Sequence, residues 1–403
     1  MLSENAIEKL IQPIIDRQES ISMYIIQLIA KRVKEIGTLL PSDVYKLERL
    51  LKYGADVRKI NKELARITGL NEQEIKNLIK IIAKDSYLDT KPYYDYRQKP
   101  FIPFEKNVPL QRVVKSIAKQ TADTYVNLSR ARAFMLRDLK HPTVLKPTSI
   151  SKTYYSVIDE AVQASQSGVI DYNTAMRRTL EQLSESGIQT VWYVSENGKM
   201  THQNLEVAVK RNILDGIRQL NQEVQDEVGK QFGADGKEIT VHEMSAPDHE
   251  PIQGHQFTNE EYEKLQSSEA FEDVNGRKFE PISRHIGEYN CRHFTYSIII
   301  GVNKPNFTQE ELDKNIERNH KGYTDSKGKH RTLYECTQEQ RRMEREIRQA
   351  KRDIMTGKES GNIEMLSKGD ADLAKWQKSY RAFSKACGLS TKPLNVKVQG
   401  FKK

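Results

Sequence analysis

Apolar positions recur at three- and four-residue intervals over most of the chain, a period that predicts helices. Ile21, Ile25, Leu28 and Ile29 make one stripe, and Val44, Leu47, Leu50 and Leu51 a second. Pro13 predicts a kink or boundary in the first pattern, because its ring clashes with the preceding turn. Pro41-Ser42-Asp43 predicts a capped helix start, and Gly54 and Gly69 predict stops. The segment INKELARITGLNEQEIKNLIKIIA reads as helix, a Thr68-Gly69-Leu70-Asn71 turn, then helix. A DNA-reading version would start its second helix with basic and amide side chains, whereas Glu72-Gln73-Glu74 repels phosphate. A plain helical hairpin is expected, and a DNA-binding regulator built on residues 56–84 is a weak rival.

The pattern changes over residues 87–109. Tyr87, Tyr93, Tyr94, Tyr96, Phe101 and Phe104 alternate with Pro92, Pro100, Pro103 and Pro109. Prolines at that density predict an extended connector, its aromatics either docking on a partner chain or packing back on their own helices. Helix is expected again over 110–186, with Gly187 as its stop. In TVWYVSENGKMT, Asn197-Gly198 signals a two-residue hairpin between short strands. Leu205, Val209, Ile213, Ile217, Leu220, Val224 and Val228 then form one long amphipathic stripe ended by Gly233 and Gly236. A strand, EITVHEM, follows. Further on, TLYECTQEQRRMEREIRQAKRDIM predicts a helix with Thr337 and Gln340 in capping-box spacing and a narrow seam of Met343, Ile347, Ala350 and Ile354. Glu344 and Arg348 stand at a favourable i,i+4 spacing on it. The fold class is therefore α+β and mostly α-helical. The expected organisation is N-terminal helical hairpins (1–86), the Pro/Tyr-rich connector (87–109), a helical region (110–186), a small α/β module (187–305) and a basic helical tail (306–403).

Chemistry-bearing residues concentrate in the α/β module. Residues 242–301 hold five of the nine histidines and one of the three cysteines. Cys291 and His293 are two apart, so on a strand both would face one side. His249 and His255 lie on a loop with Pro247, Pro251 and Gly254. Brought together, His249, His255, Cys291 and His293 would make a donor set suited to zinc. The spacing matches no standard zinc motif, so a hydrogen-bonded structural cluster is the first reading, with structural zinc and catalysis as alternatives. No other cofactor is expected. Phosphate-cradling glycine motifs and a GxSxG elbow are absent. A Cys–His nucleophile pair would need Arg292 out of the way.

Charge adds one more feature. Net charge is +9, and from Glu311 onward 22 Lys and Arg face 13 Asp and Glu, so the whole excess lies in the tail. Arg341, Arg342, Arg345, Arg348, Lys351 and Arg352 crowd one helix there and are the candidate nucleic-acid contacts. Such a tail suits a polyanionic neighbour, or is simply a solvated helix. No apolar run approaches the ~20 residues that span a bilayer, the amino end is acidic where a signal peptide is basic, and three cysteines make no paired framework. A cytoplasmic origin and no membrane partner are expected.

Three segments, in this order, carry a likeness to a known family. SAPDHEPIQGH has its Gln-Gly pair beyond a His; YNCRHFTYSIIIG has Asn-Cys-Arg-His before an aromatic and apolar run ending in Gly; TLYECTQEQRRMEREIRQAKRDI has a Tyr-Glu start and an Arg-rich continuation. Together they resemble the phage minor capsid protein 2 family, across about residues 20–390. The resemblance implies a structural virion component at the portal vertex, assembled in the host cytoplasm, with the portal protein and other capsid proteins as partners; inside a filled head the polyanion nearest the basic tail would be packaged DNA, bound non-specifically. It implies no reaction. A metal-dependent enzyme or toxin-like domain on the Cys/His cluster is the leading alternative.

Overall fold

The structure, a computed structural model, describes residues 4–38, 47–137, 145–167, 172–194, 200–287, 291 and 293–402. The architecture is α+β and mostly α-helical, with 66% of the described residues in helix. Two compact units each collect three stretches of chain. The first takes Met1–Ile11, Gln73–Thr124 and Arg211–Glu339, and the second Gln12–Glu72, Tyr125–Lys210 and Gln340–Lys403. The Pro41-Ser42-Asp43 start, Val44, the Asn197-Gly198 turn, Tyr289, Asn290 and Arg292 lie outside the described residues.

Two long helices run past the predicted breaks. α1 (Glu4–Gly37) contains Pro13 in its interior. Ile11 and Ile14, 1% and 2% exposed, flank it, and their burial outweighs the one backbone bond that Pro13 cannot make. α2 (Leu47–Leu88) passes through Gly54 and Gly69 without a turn, so the expected helical hairpin is one helix. Its stripe of Tyr53, Val57, Ile60, Leu64, Ile67, Ile75, Leu78 and Ile82 is buried throughout. Asn71 occupies the one position where that rhythm lacks an apolar residue. It is fully buried and accepts from Arg17 Nε at 2.7 Å. A glycine in a helix interior costs only about 1 kcal/mol, less than breaking so long a stripe.

In the first unit, the stretch predicted as an extended connector contains α3 (Lys91–Tyr96) and a 3₁₀ turn (Phe104–Lys106), with Pro92 in the first turn of α3. Proline is tolerated there because that N–H has no helical partner. Tyr87, Tyr94 and Phe104 are buried, and Phe101 stacks on Tyr87 at 4.8 Å. Tyr94 Oη donates to Gln231 Oε1 at 2.7 Å, so those aromatics pack back on their own unit, while Tyr93 and Tyr96 are exposed.

Helix resumes in α4 (Val108–Arg130), but two strands interrupt the helical region predicted for 110–186. β1 (Arg132–Arg137) and β2 (Leu145–Thr148) precede α5 (Ile150–Ser167) and α6 (Tyr172–Ser186). Ala133, Phe134 and Met135 are buried in succession, so β1 shows no alternation that a sequence could reveal. β3 (Gln189–Val194) and β4 (Met200–Asn204) complete an antiparallel sheet of order β2-β1-β3-β4 in the second unit. Gly187, at φ +57°, ends α6 as expected.

α7 (Leu205–Phe232) buries all seven residues of its predicted stripe, and Gly233 closes it at φ +71°. The first unit then folds a small sheet of order β6-β5-β9, from β5 (Gly236–Ile239), β6 (Gln256–Thr258) and β9 (Thr295–Ile298). β5 is shorter than the predicted EITVHEM strand and turns away at Thr240. α8 (Asn259–Gln266) and the ribbon of β7 (Phe271–Glu272) and β8 (Lys278–Phe279) pack beside it, around a core of Ile239, Ile252, Phe257, Leu265, Phe279 and Ile282. α9 (Gln309–Lys321) and a second ribbon, β10 (Tyr323–Thr324) with β11 (His330–Arg331), lead into α10 (Leu333–Ser360). Its capping box is Thr332 with Glu335, five positions before the expected Thr337 with Gln340. Those two side chains bond elsewhere, Thr337 to Tyr334 O and Gln340 to Ser384 Oγ.

In the second unit the seam of Met343, Ile347, Ala350 and Ile354 packs on Leu373 and Tyr380 of α11 (Ile363–Ala386). Glu344 is buried and accepts from Tyr380 Oη and Asn395 Nδ2, both at 3.0 Å. The chain then returns to α1, where Lys397 Nζ meets Asp16 Oδ2 at 2.9 Å and the Gln399 N–H donates to Glu19 at 3.0 Å. Among the described residues no helix is long and apolar enough to cross a membrane.

Candidate metal centre

The short sheet of the first unit sets the cluster's geometry. β5 and β9 pair antiparallel, with Ile239 opposite Thr295. The loop leaving β5 therefore starts beside the segment entering β9, and Thr240 N–H bonds Phe294 O at 3.0 Å. That loop closes on itself, because Gly254 N–H donates to Ile239 O and Ile239 N–H to His255 O. Gly254 has φ +74°, and a Cβ there would collide with Leu312 and Val241, so the glycine is required twice over.

Cys291 and His293 are not on a strand, as the sequence had suggested, but in the segment just before β9. They still face a common point. His249, Cys291 and His293 are 1%, 2% and 3% exposed, and their ligand atoms lie within 4.8 Å of one another. Cys291 Sγ is 3.3 Å from His249 Nδ1 and 3.5 Å from His293 Nδ1. His255 does not join them. Its Nδ1 faces Arg277 at 2.6 Å, across the β7–β8 ribbon, because Asp273 holds Arg277 there. Burial and the Arg277 charge push the His255 imidazole down to about 4. The expected four-residue set is thus a three-residue set.

The side chains behind the cluster were not legible in the spacing. His249 Nε2 donates to Arg284 O at 2.7 Å. Arg284 is held by Asp248, whose carboxylate accepts from its guanidinium at 2.8 Å and from Ser283 Oγ at 2.7 Å. Burial pushes Asp248 up, but the Arg284 and Ser283 bonds dominate together with nearby charge and hold it at about 2. Gln253 Oε1 accepts from the His242 backbone N–H at 3.0 Å and lies 3.2 Å from His293 Nε2. Burial, His242 and His249 hold the His293 imidazole far down, at about 2, so it is neutral. Burial pushes the Cys291 thiol up, yet the His249 hydrogen bond and charge bring it below its ordinary value. For His249 burial pushes down and Cys291 raises it. Beside His293 lies a 610 Å³ cavity lined by polar groups including Gln120, Asn212, Gln222 and Gln266.

The six tail cations prove to be mostly internal. Arg352 is buried and donates to Ser184 O and Gln349 Oε1, both at 2.9 Å. Lys351 Nζ donates to Val396 O and lies over the Phe401 ring, and Arg342 lies 5.1 Å from the Trp376 ring centre. Arg348 is half-buried beside Arg345 in a 430 Å³ pocket of the second unit. Only Arg341 and Arg345 of the six are exposed. The expected outward-facing cationic surface is correspondingly smaller, because α11 and residues 393–401 cover faces of α10 that sequence alone leaves open.

The chemistry-bearing residues of this mostly helical α+β chain thus lie buried in a small module of the first unit. The sequence profile of the family described as phage minor capsid protein 2 matches residues 2–385, and the chain belongs to that family. It is thus a structural component of a phage capsid. No curated protein and no solved structure shows significant similarity.

Proposed function

We propose that this minor capsid protein serves at the portal vertex, entering the head during its assembly in the host cytoplasm and contacting the portal protein and its neighbours. The family match over residues 2–385 carries this reading. The burial of the Cys/His cluster supports a structural over an enzymatic role: none of its three residues is more than 3% exposed. Packaged DNA is a secondary neighbour in this reading. With Arg341, Arg345 and Lys358 as the exposed cations of α10, contact is weak and sequence-independent, and affinity falls with salt by a log–log slope of about −0.9 per phosphate contact. The test is mass spectrometry and residue-level cross-linking of gradient-purified particles. The chain is expected in particles, in few copies, linked to the portal protein. Its presence in host lysate alone would remove the virion role, and its presence in particles with links only to shell proteins would remove the portal placement.

A further inference from the structure

We propose that His249, Cys291 and His293 bind one zinc-class divalent cation through Nδ1, Sγ and Nδ1. The argument rests on where the imidazole protons are. His249 Nε2 lies 2.7 Å from a backbone carbonyl, which can only accept, so that nitrogen carries a proton. His293 Nε2 lies 3.2 Å from Gln253 Oε1, and the amide orientation is itself set because the same oxygen receives the His242 N–H at 3.0 Å. In the neutral tautomers both Nδ1 lone pairs are therefore aimed at the one Cys291 sulfur. A thiol has one proton and can satisfy one of them. Moving that proton to His249, as a thiolate–imidazolium pair, leaves the His293 lone pair facing an anion. In either state a buried imidazole acceptor has no donor among the described residues, which leaves its desolvation uncompensated.

A cation removes the conflict. With the thiol proton released to solvent, one thiolate and two neutral imidazoles converge on a dication. At ordinary zinc bond lengths and a tetrahedral angle, sulfur and nitrogen ligands stand about 3.6 Å apart. The observed separations are 3.3 and 3.5 Å. Arg284 O and Gln253 Oε1 are the outer acceptors that orient ligating histidines in such sites. Soft sulfur with imidazole favours zinc over calcium or magnesium. Three protein atoms leave a fourth position for water.

The experiment uses the full chain, dialysed against zinc and then freed of excess. About one equivalent of zinc is expected for wild type and for His255→Gln, and less than about a tenth for Cys291→Ser. Gln253→Ala, which removes an outer acceptor, should weaken binding roughly 10- to 100-fold. Cobalt replacement in the wild-type chain gives a thiolate-to-metal charge-transfer band, a readout that stands if Cys291→Ser fails to fold. Retention of zinc by a folded Cys291→Ser would mean adventitious metal and overturn the proposal. So would a wild-type chain with neither zinc nor the cobalt band, whose sulfur would then be the metal-free thiolate–imidazolium pair.

Discussion

The histidines of the first unit and the arginines of the second began as the same kind of signal, a local excess of one chemistry in the sequence. The fold treats them oppositely. Two histidines 44 positions apart in sequence, His249 and His293, converge on the Cys291 sulfur, while six cations within twelve residues of α10 are dispersed among two carbonyls, an amide oxygen, two aromatic faces and the exposed side of the helix. A tight loop closed by Gly254 brings distant groups together, whereas a helix turns successive side chains through 100° and separates near ones. Density in sequence thus says less about a shared site than the element that carries it.

That contrast can be broken at three points. The largest effect belongs to the apolar seam of α10. Ile347, 1% exposed, packs against α11, and Ile347→Ala should cost about 2–5 kcal/mol in the denaturant transition of the full chain. A loss below ~1 kcal/mol would mean that cations rather than apolar packing hold the helix pair. Next comes the loop that gathers the cluster. Gly254→Ala meets both a positive φ and a crowded Cβ position, and a loss of about 1–3 kcal/mol is expected by thermal or chemical melting. An unchanged melt would show that the loop's closure does not depend on that residue. Smallest is the exposed pair: Arg341→Gln with Arg345→Gln should leave stability within about 0.5 kcal/mol of wild type. A larger shift would show that these side chains support the fold much as the buried Arg352 does.

Legibility followed the same logic. The α7 stripe and the α10 seam were readable because burial there follows the helical period residue by residue. Helix breakers misled wherever a continuous stripe outweighed them, at Pro13, Gly54 and Gly69. β1 was invisible because Ala133, Phe134 and Met135 are all buried, and an unbroken apolar run in a short segment has no period. In the site, residue type and the His249, Cys291, His293 triplet came through. His255 did not, since its partner Arg277 arrives on a ribbon of two-residue strands too short to leave a pattern. Nor could spacing show Gln253 and Arg284, which act through one oxygen each.

The return of residues 397–399 to α1 bears on the order of synthesis. Asp16 and Glu19 emerge some 380 residues ahead of Lys397 and Gln399. At about 5–20 residues per second, that is a delay of roughly 20–80 seconds. The second unit therefore cannot complete these contacts with α1 until residues 397–399 have been made, and contacts of such long range are slow to form. A fragment ending before position 397 leaves both side chains without these partners, so it differs from the longer chain at α1, far in sequence from the break.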